Sequence, residues 1–170
     1  MDFLNITQES QQKFKEIAET LFNEYAIKTH DSLCRMTEVE FYWYSDSHKD
    51  NSTYKRKHVF PKAGQWFFHY SGVDIALKNE TGGYGGILIR GLHDGENSIN
   101  GPMVCAMKLF SCTDAFSPTI QTHIVPHNFT KLKAVPLQRV GLGKNAVDSG
   151  TDQFLYRFQI KPVNGKRYRD

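Results

Sequence analysis

Cysteine is scarce in this chain and follows no pattern. The 170 residues hold three, Cys34, Cys105 and Cys112, an odd number with no C-x-x-C spacing, so neither a disulfide framework nor a zinc site is indicated. Long apolar runs are missing as well. Nothing approaches the roughly 20 residues of a membrane span, and the opening Met-Asp-Phe-Leu-Asn-Ile-Thr-Gln-Glu-Ser has neither a basic start nor a long apolar segment. A cytoplasmic protein without membrane attachment is expected. No internal repeat, low-complexity tract or linker divides the sequence, which leaves a single domain over 1–170, long enough to bury a sizeable core. Thr81-Gly82-Gly83-Tyr84-Gly85-Gly86 lacks the strand, G-x-G-x-x-G, helix order of a dinucleotide fingerprint, so it reads as a turn leading into another strand. No cofactor and no obligate protein partner are expected. Charge of one sign is not in large excess either: 21 Lys and Arg face 18 Asp and Glu, for a net +3, which permits phosphate contacts without demanding them.

Aromatic residues are plentiful, with twelve Phe and eight Tyr, and suit either a core or a stacking site. From Thr7 to about Lys28, apolar Phe14, Ile17, Ala18, Leu21, Phe22 and Tyr25 recur at three- and four-residue spacings, which predicts an amphipathic helix with Thr7 as N-cap. A strand follows from about Cys34 to Tyr44. Its alternation puts Met36, Glu38, Glu40, Tyr42 and Tyr44 on one face and Thr37, Val39, Phe41 and Trp43 on the other. The first face is either a cleft wall carrying a general base beside phenol rings, or an exposed sheet face with half-buried tyrosines.

The polar stretch 45–63 holds His48, Asp50 and the basic run Lys55-Arg56-Lys57-His58, read as a functional loop or a solvated one. Gln65–Tyr70 and Val73–Leu77 read as a hairpin turning at Ser71-Gly72, with Asp74 either paired in the structure or poised in a cleft. Ile87–Arg90 reads as a strand whose Arg90 buries its stem and turns its guanidinium to a carboxylate. Gly101-Pro102 opens a helix, with Cys105 and Cys112 near one face as packing thiols. Signals from 116 to 152 are weak; Phe154–Ile160 reads as a late strand, and a basic tail covers 163–170.

In order, Glu38-Val39-Glu40-Phe41-Tyr42, Gly86-Ile87-Leu88-Ile89-Arg90 and Gly101-Pro102 resemble motifs of the alkyladenine (3-methylpurine) DNA glycosylases. Lys62-Ala63-Gly64, Arg139-Val140-Gly141-Leu142-Gly143 and the Phe154–Ile160 strand fall where that family has comparable elements, so the resemblance spans about 34–162. It implies an α+β fold with a curved, mostly antiparallel sheet and flanking helices, and hydrolysis of the N-glycosidic bond of an alkylated or deaminated purine flipped out of DNA. It implies Glu40 as the base that activates water, Arg90 as the residue orienting the catalytic centre, and Tyr42 and His69 as pocket walls. His48, with His58 as rival, would be a further pocket histidine, and Tyr70 lies one residue before the expected wedging position. Lys55, Arg56 and Lys57 are expected to contact nucleic acid, although the loop around them differs from the family's glycine- and arginine-rich one.

Two other readings stand beside this one. A catalytically inactive nucleic-acid or nucleotide-binding module would use the basic loop and aromatic cleft without turnover. A metal-dependent hydrolase would draw on Glu38, Glu40, His48, Asp50 and His58, but no paired ligand spacing supports it.

Overall fold

The computed structural model describes residues 2–56, 62–117, 119 and 121–161, apart from the side chains of Tyr54 and Lys55; Lys57, His58 and the 163–170 tail lie outside the described residues. After a short 3-10 turn at Asp2–Leu4, helix α1 runs Gln11–Glu24 and passes directly into strand β1, Tyr25–Lys28. The helix is shorter at both ends than its periodicity predicts. Ser10, not Thr7, caps it: the Ser10 hydroxyl accepts from the Lys13 N–H at 3.2 Å. At the other end the orphan carbonyls find tertiary donors. Arg35 Nε donates to Phe22 O, Phe129 N–H to Asn23 O and His127 N–H to Glu24 O, each at 2.9 Å. With those carbonyls satisfied from outside, the chain is free to leave the helix at Tyr25.

Strand β2, Leu33–Tyr44, is the spine of the sheet. It is followed by a 3-10 segment at Asn51–Arg56, the hairpin β3 Trp66–His69 and β4 Gly72–Lys78, then β5 Tyr84–His93, β6 Ser98–Asn100 and helix α2 Pro102–Phe110. The weakly marked 116–152 region supplies β7 His123–Pro126, β8 Val135–Leu137, the short helix α3 Lys144–Asp148 and a 3-10 turn at Thr151–Gln153, before β9 Arg157–Gln159. The principal order is β3-β4-β5-β2-β1-β7, with β6 on β5, and β8 and β9 paired and joined to β2. All these ladders are antiparallel. The result is one α+β domain with a curled antiparallel sheet and few helices. No helix among the described residues is long and apolar enough to cross a membrane.

The alternation expected for β2 is interrupted. Its register against β5 shifts between Met36 and Val39, a bulge in which Glu38 faces Gly91. Met36 therefore joins Val39, Phe41 and Trp43 in the core, leaving Glu38, Glu40 and Tyr42 on the opposite face. Helix α1 covers the core face: Phe14 stacks on Phe41 at 5.0 Å and meets Tyr156 edge-on at 4.9 Å. The hairpin turns one residue early, at Tyr70-Ser71, because His69 pairs with Gly72. Gly72 (φ 155°) lies against the start of α2, where an added Cβ would come 2.9 Å from Pro102 O. The two helical cysteines part company: Cys105 is buried in α2, whereas Cys112 lies beyond its end and is exposed.

Candidate active site

Three strands bring the chemistry together by register. Glu40 on β2 pairs with Leu88 on β5, and Leu88 pairs with Asp74 on β4, so two carboxylates flank one leucine across the sheet. One row along, Tyr42 pairs with Gly86 and Gly86 with Ala76. Gly86 has a packing reason to be glycine: a Cβ there would collide with the Asp74 carboxylate.

Glu40 is fully buried and accepts three hydrogen bonds. Oε2 takes the Tyr42 hydroxyl at 2.8 Å and Arg90 Nη1 at 3.3 Å; Oε1 takes the Val140 N–H at 3.0 Å. A carboxylate offers about four acceptor positions, and among the described residues only one donor reaches Oε1. Arg90 also donates through Nε to Glu38 at 3.2 Å and so bridges the two carboxylates. Glu38 is held further by Arg157 and Gln159 at 3.3 and 3.2 Å. Burial, and then the charge of Glu40, push the Tyr42 phenol well above its ordinary value. Tyr42 is thereby kept as a neutral donor to Glu40.

In front of these groups lies a cavity of about 550 Å³. Tyr42, Leu88 and Arg90 form the sheet wall, the hairpin gives His69, Tyr70 and Ser71, and Pro102 comes from the start of α2. The far side is the segment Val140–Ala146. Arg90, Arg56 and Lys144 are its charged lining, with no carboxylate among the described lining residues. Glu40 is not itself a lining residue, but its three hydrogen-bond donors, Tyr42, Arg90 and Val140, all are.

Asp74 is the second buried anchor. Its Oδ2 accepts from Arg56 Nε at 2.8 Å, and Oδ1 lies 3.0 Å from His69 Nε2. The Ser71 N–H points at His69 Nδ1 from 3.3 Å, so Nε2 carries the proton given to Asp74 and both ring nitrogens are engaged. His69 does line the cavity, but as a braced wall. Tyr70 stands at the turn beside it, 73% exposed.

The loop after β2 is placed differently from its sequence expectation. Arg56, expected on a basic surface run, is turned inward: its guanidinium carbon lies 3.4 Å from the Tyr42 ring centroid and only 9% of its surface is exposed. The stacking face expected of Tyr42 is therefore already taken. The Lys55 side chain and all of Lys57 fall outside the described residues. His48 is not a cavity residue. Its Nδ1 lies 3.1 Å from Trp43 O and its Nε2 2.8 Å from the Tyr156 hydroxyl, with the ring stacked on Tyr156 at 5.7 Å. It ties the end of β2 to the segment before β9, a structural duty that uses both nitrogens.

Sequence reasoning passed over the pair that fixes the far wall. Asp50 and Arg139, both buried, join through Nη1 at 2.6 Å and Nη2 at 3.2 Å. Arg139 also donates to Phe41 O and Thr151 O at 3.1 and 2.8 Å. Burial works against the charge of Asp50, but Arg139 and Ser52 outweigh it and hold the carboxyl below its ordinary value. Arg139 immediately precedes Val140, whose N–H holds Glu40. The resemblance marked this segment; nothing in the local sequence marks Asp50 as its partner.

The groups named for a metal site are engaged within the protein: Glu38 accepts from Arg90, Arg157 and Gln159, Glu40 from Tyr42, Arg90 and Val140, and Asp50 from Arg139, while His48 pairs with the Trp43 carbonyl and the Tyr156 hydroxyl; His58 lies outside the described residues. No group of three or more His, Cys, Asp or Glu could hold a metal ion among the described residues. No protein-family model matches the chain, and no curated protein matches it.

Proposed function

We propose that the chain is a methylpurine-type DNA N-glycosylase that hydrolyses the N-glycosidic bond of a damaged purine. The observation that carries this reading is the arrangement of Glu40 at the cavity, fixed by Arg90, Tyr42 and the Val140 amide, with a single donor on Oε1 among the described residues. Water bound there would give its proton to Oε1 as its oxygen bonds to C1′. The C1′–N bond breaks and its electron pair leaves with the base, which, where the purine was neutral before cleavage, takes up a proton from solvent. The transition state is positively charged at the sugar, so an anionic carboxylate helps twice, as base and as counter-charge. The all-cationic lining of Arg56, Arg90 and Lys144 suits a substrate that carries phosphates. Tyr70, exposed at the hairpin turn and lining the cavity, would take the position of an extruded base.

Base release from alkylated, deaminated and etheno-adduct oligonucleotides, single- and double-stranded, tests this directly. Wild type should release free base, and Glu40→Gln, with folding verified, should slow release by about 10² or more. Absence of release by wild type on every substrate would overturn the reading. The complete burial of Glu40 favours one alternative, a nucleic-acid or nucleotide-binding module without turnover. That alternative expects DNA binding of equal strength in wild type and Glu40→Gln, and no base release from either.

A further inference from the structure

Tyr42 is the aromatic ring closest to Glu40, and its electron-rich face is the feature of such a wall that would attract a positively charged ring. That attraction is already used within the protein. Arg56 lies over the ring at 3.4 Å and Arg139 at 4.8 Å. Neither guanidinium is free to withdraw: Arg56 is tied at 2.8 Å to Asp74, itself braced by His69, and Arg139 is tied to Asp50 and two carbonyls. Arg56 and Tyr42 both line the cavity, so a flat ligand entering it meets a guanidinium already seated against the phenol ring. The other charges on the lining, Arg90 and Lys144, have the same sign. The carboxylates paired with Arg56 and Arg90, Asp74 and Glu40, are fully buried, and Glu38 is 14% exposed and bound by two arginines.

We propose that Arg56, stacked on Tyr42, makes this cavity select neutral or anionic flat rings over cationic ones, so that its ligands are deaminated or exocyclic-adduct purines and not positively charged alkylpurines. A planar guanidinium stacks well on an electron-rich neutral ring and repels a cationic one at contact distance. The proposal rests on the cavity being the base site of the function proposed above, but it does not require turnover.

Its test is therefore binding. The fluorescent neutral nucleoside 1,N6-ethenoadenosine serves as probe, displaced by inosine, whose ring is neutral near neutral pH, or by 1-methyladenosine, whose ring is cationic. Inosine should displace the probe from the wild-type chain at about tenfold lower concentration than 1-methyladenosine. Equal displacement, a preference for 1-methyladenosine, or no saturable binding of the probe overturns the proposal, and none of these outcomes needs a variant. Arg56→Met in an Asp74→Asn background removes the stacked charge without leaving a buried carboxylate unpaired. In that double variant the ratio should fall to about one, and an unchanged ratio would remove Arg56 as its cause. The two readings fail separately: nucleoside selection without base release sinks hydrolysis alone, whereas equal release of hypoxanthine and of a cationic methylpurine sinks the selection alone.

Discussion

Replacing Asp50 with alanine removes the counter-charge of a guanidinium that has no access to water. Both side chains of the Asp50–Arg139 pair are fully buried, and their contacts at 2.6 and 3.2 Å make a two-point bridge. Breaking such a pair from one side costs about 3–5 kcal/mol, because the remaining charge stays desolvated. Arg139 keeps Phe41 O and Thr151 O as acceptors, while its Nε already lacks a partner among the described residues. The cost should lie at the lower end, about 3 kcal/mol. With a urea slope of about 2 kcal/mol/M, the unfolding midpoint should fall by about 1.5 M. Asp50→Ala with Arg139→Met removes both charges, and should recover much of that loss, since an apolar replacement of a buried pair is often neutral. A midpoint shift under about 0.3 M for Asp50→Ala, or a double variant as unstable as the two single losses added, would refute the reasoning.

The same pair sets a dependence on acid. The folded value of the Asp50 carboxyl lies below its ordinary value of 3.8. Its contribution is complete above that ordinary value and is lost as pH falls through the lower folded value. Wild type should therefore lose stability on acidification below the ordinary value, and Asp50→Asn, already weaker at neutral pH, should lose less over the same interval. Equal acid slopes in urea titrations of the two chains would remove Asp50 as the source.

Gly86→Ala places a Cβ against the Asp74 carboxylate, so it should cost about 1–3 kcal/mol in urea unfolding and loosen Arg56 from Tyr42, seen as a weaker preference for inosine over 1-methyladenosine; a fully stable variant would show that Asp74 can shift freely. Thiol labelling of the native chain should modify Cys112 quickly and leave Cys34 and Cys105 protected, the latter with its thiol pushed up to about 12 by burial and then by Glu38. All three should react in denaturant, and fast native labelling of three thiols would contradict the packing of α2.

What the sequence discloses is what neighbouring residues decide. The spacing from Phe14 to Tyr25 marks α1, but its end depends on Arg35, His127 and Phe129, which no helical pattern contains. Strict alternation puts Met36 with the glutamates, and only the bulge beside Glu38 returns it to the core. The hairpin is visible in its aromatic and apolar runs, whereas the choice of Tyr70-Ser71 as its turn follows from the pairing of His69 with Gly72. Strands β7 and β8 are three or four residues long and carry Pro126 and Pro136. Both occupy sheet edges, where a residue without an N–H is tolerated and local strand signals are weakest.

The candidate site divides along the same line. Glu40 takes its hydrogen bonds from residues 2, 50 and 100 positions away. The first is a strand period and can be read directly, which is why Glu40 and Tyr42 stand out together. The second follows from an apolar strand that ends in Arg90, a weaker but still local mark. The third, the Val140 amide, has no side-chain signature, and its position depends on Asp50 reaching Arg139 across 89 residues. Arg56 shows the limit most clearly. A basic run in a polar loop reads as solvent-facing charge, yet buried Asp74, itself unremarkable inside the apolar β4, draws one member of that run onto Tyr42. Glu40, Tyr42 and Arg56 therefore acquire their working positions only when the distant segments 50–56, 74 and 139–140 have closed on one another.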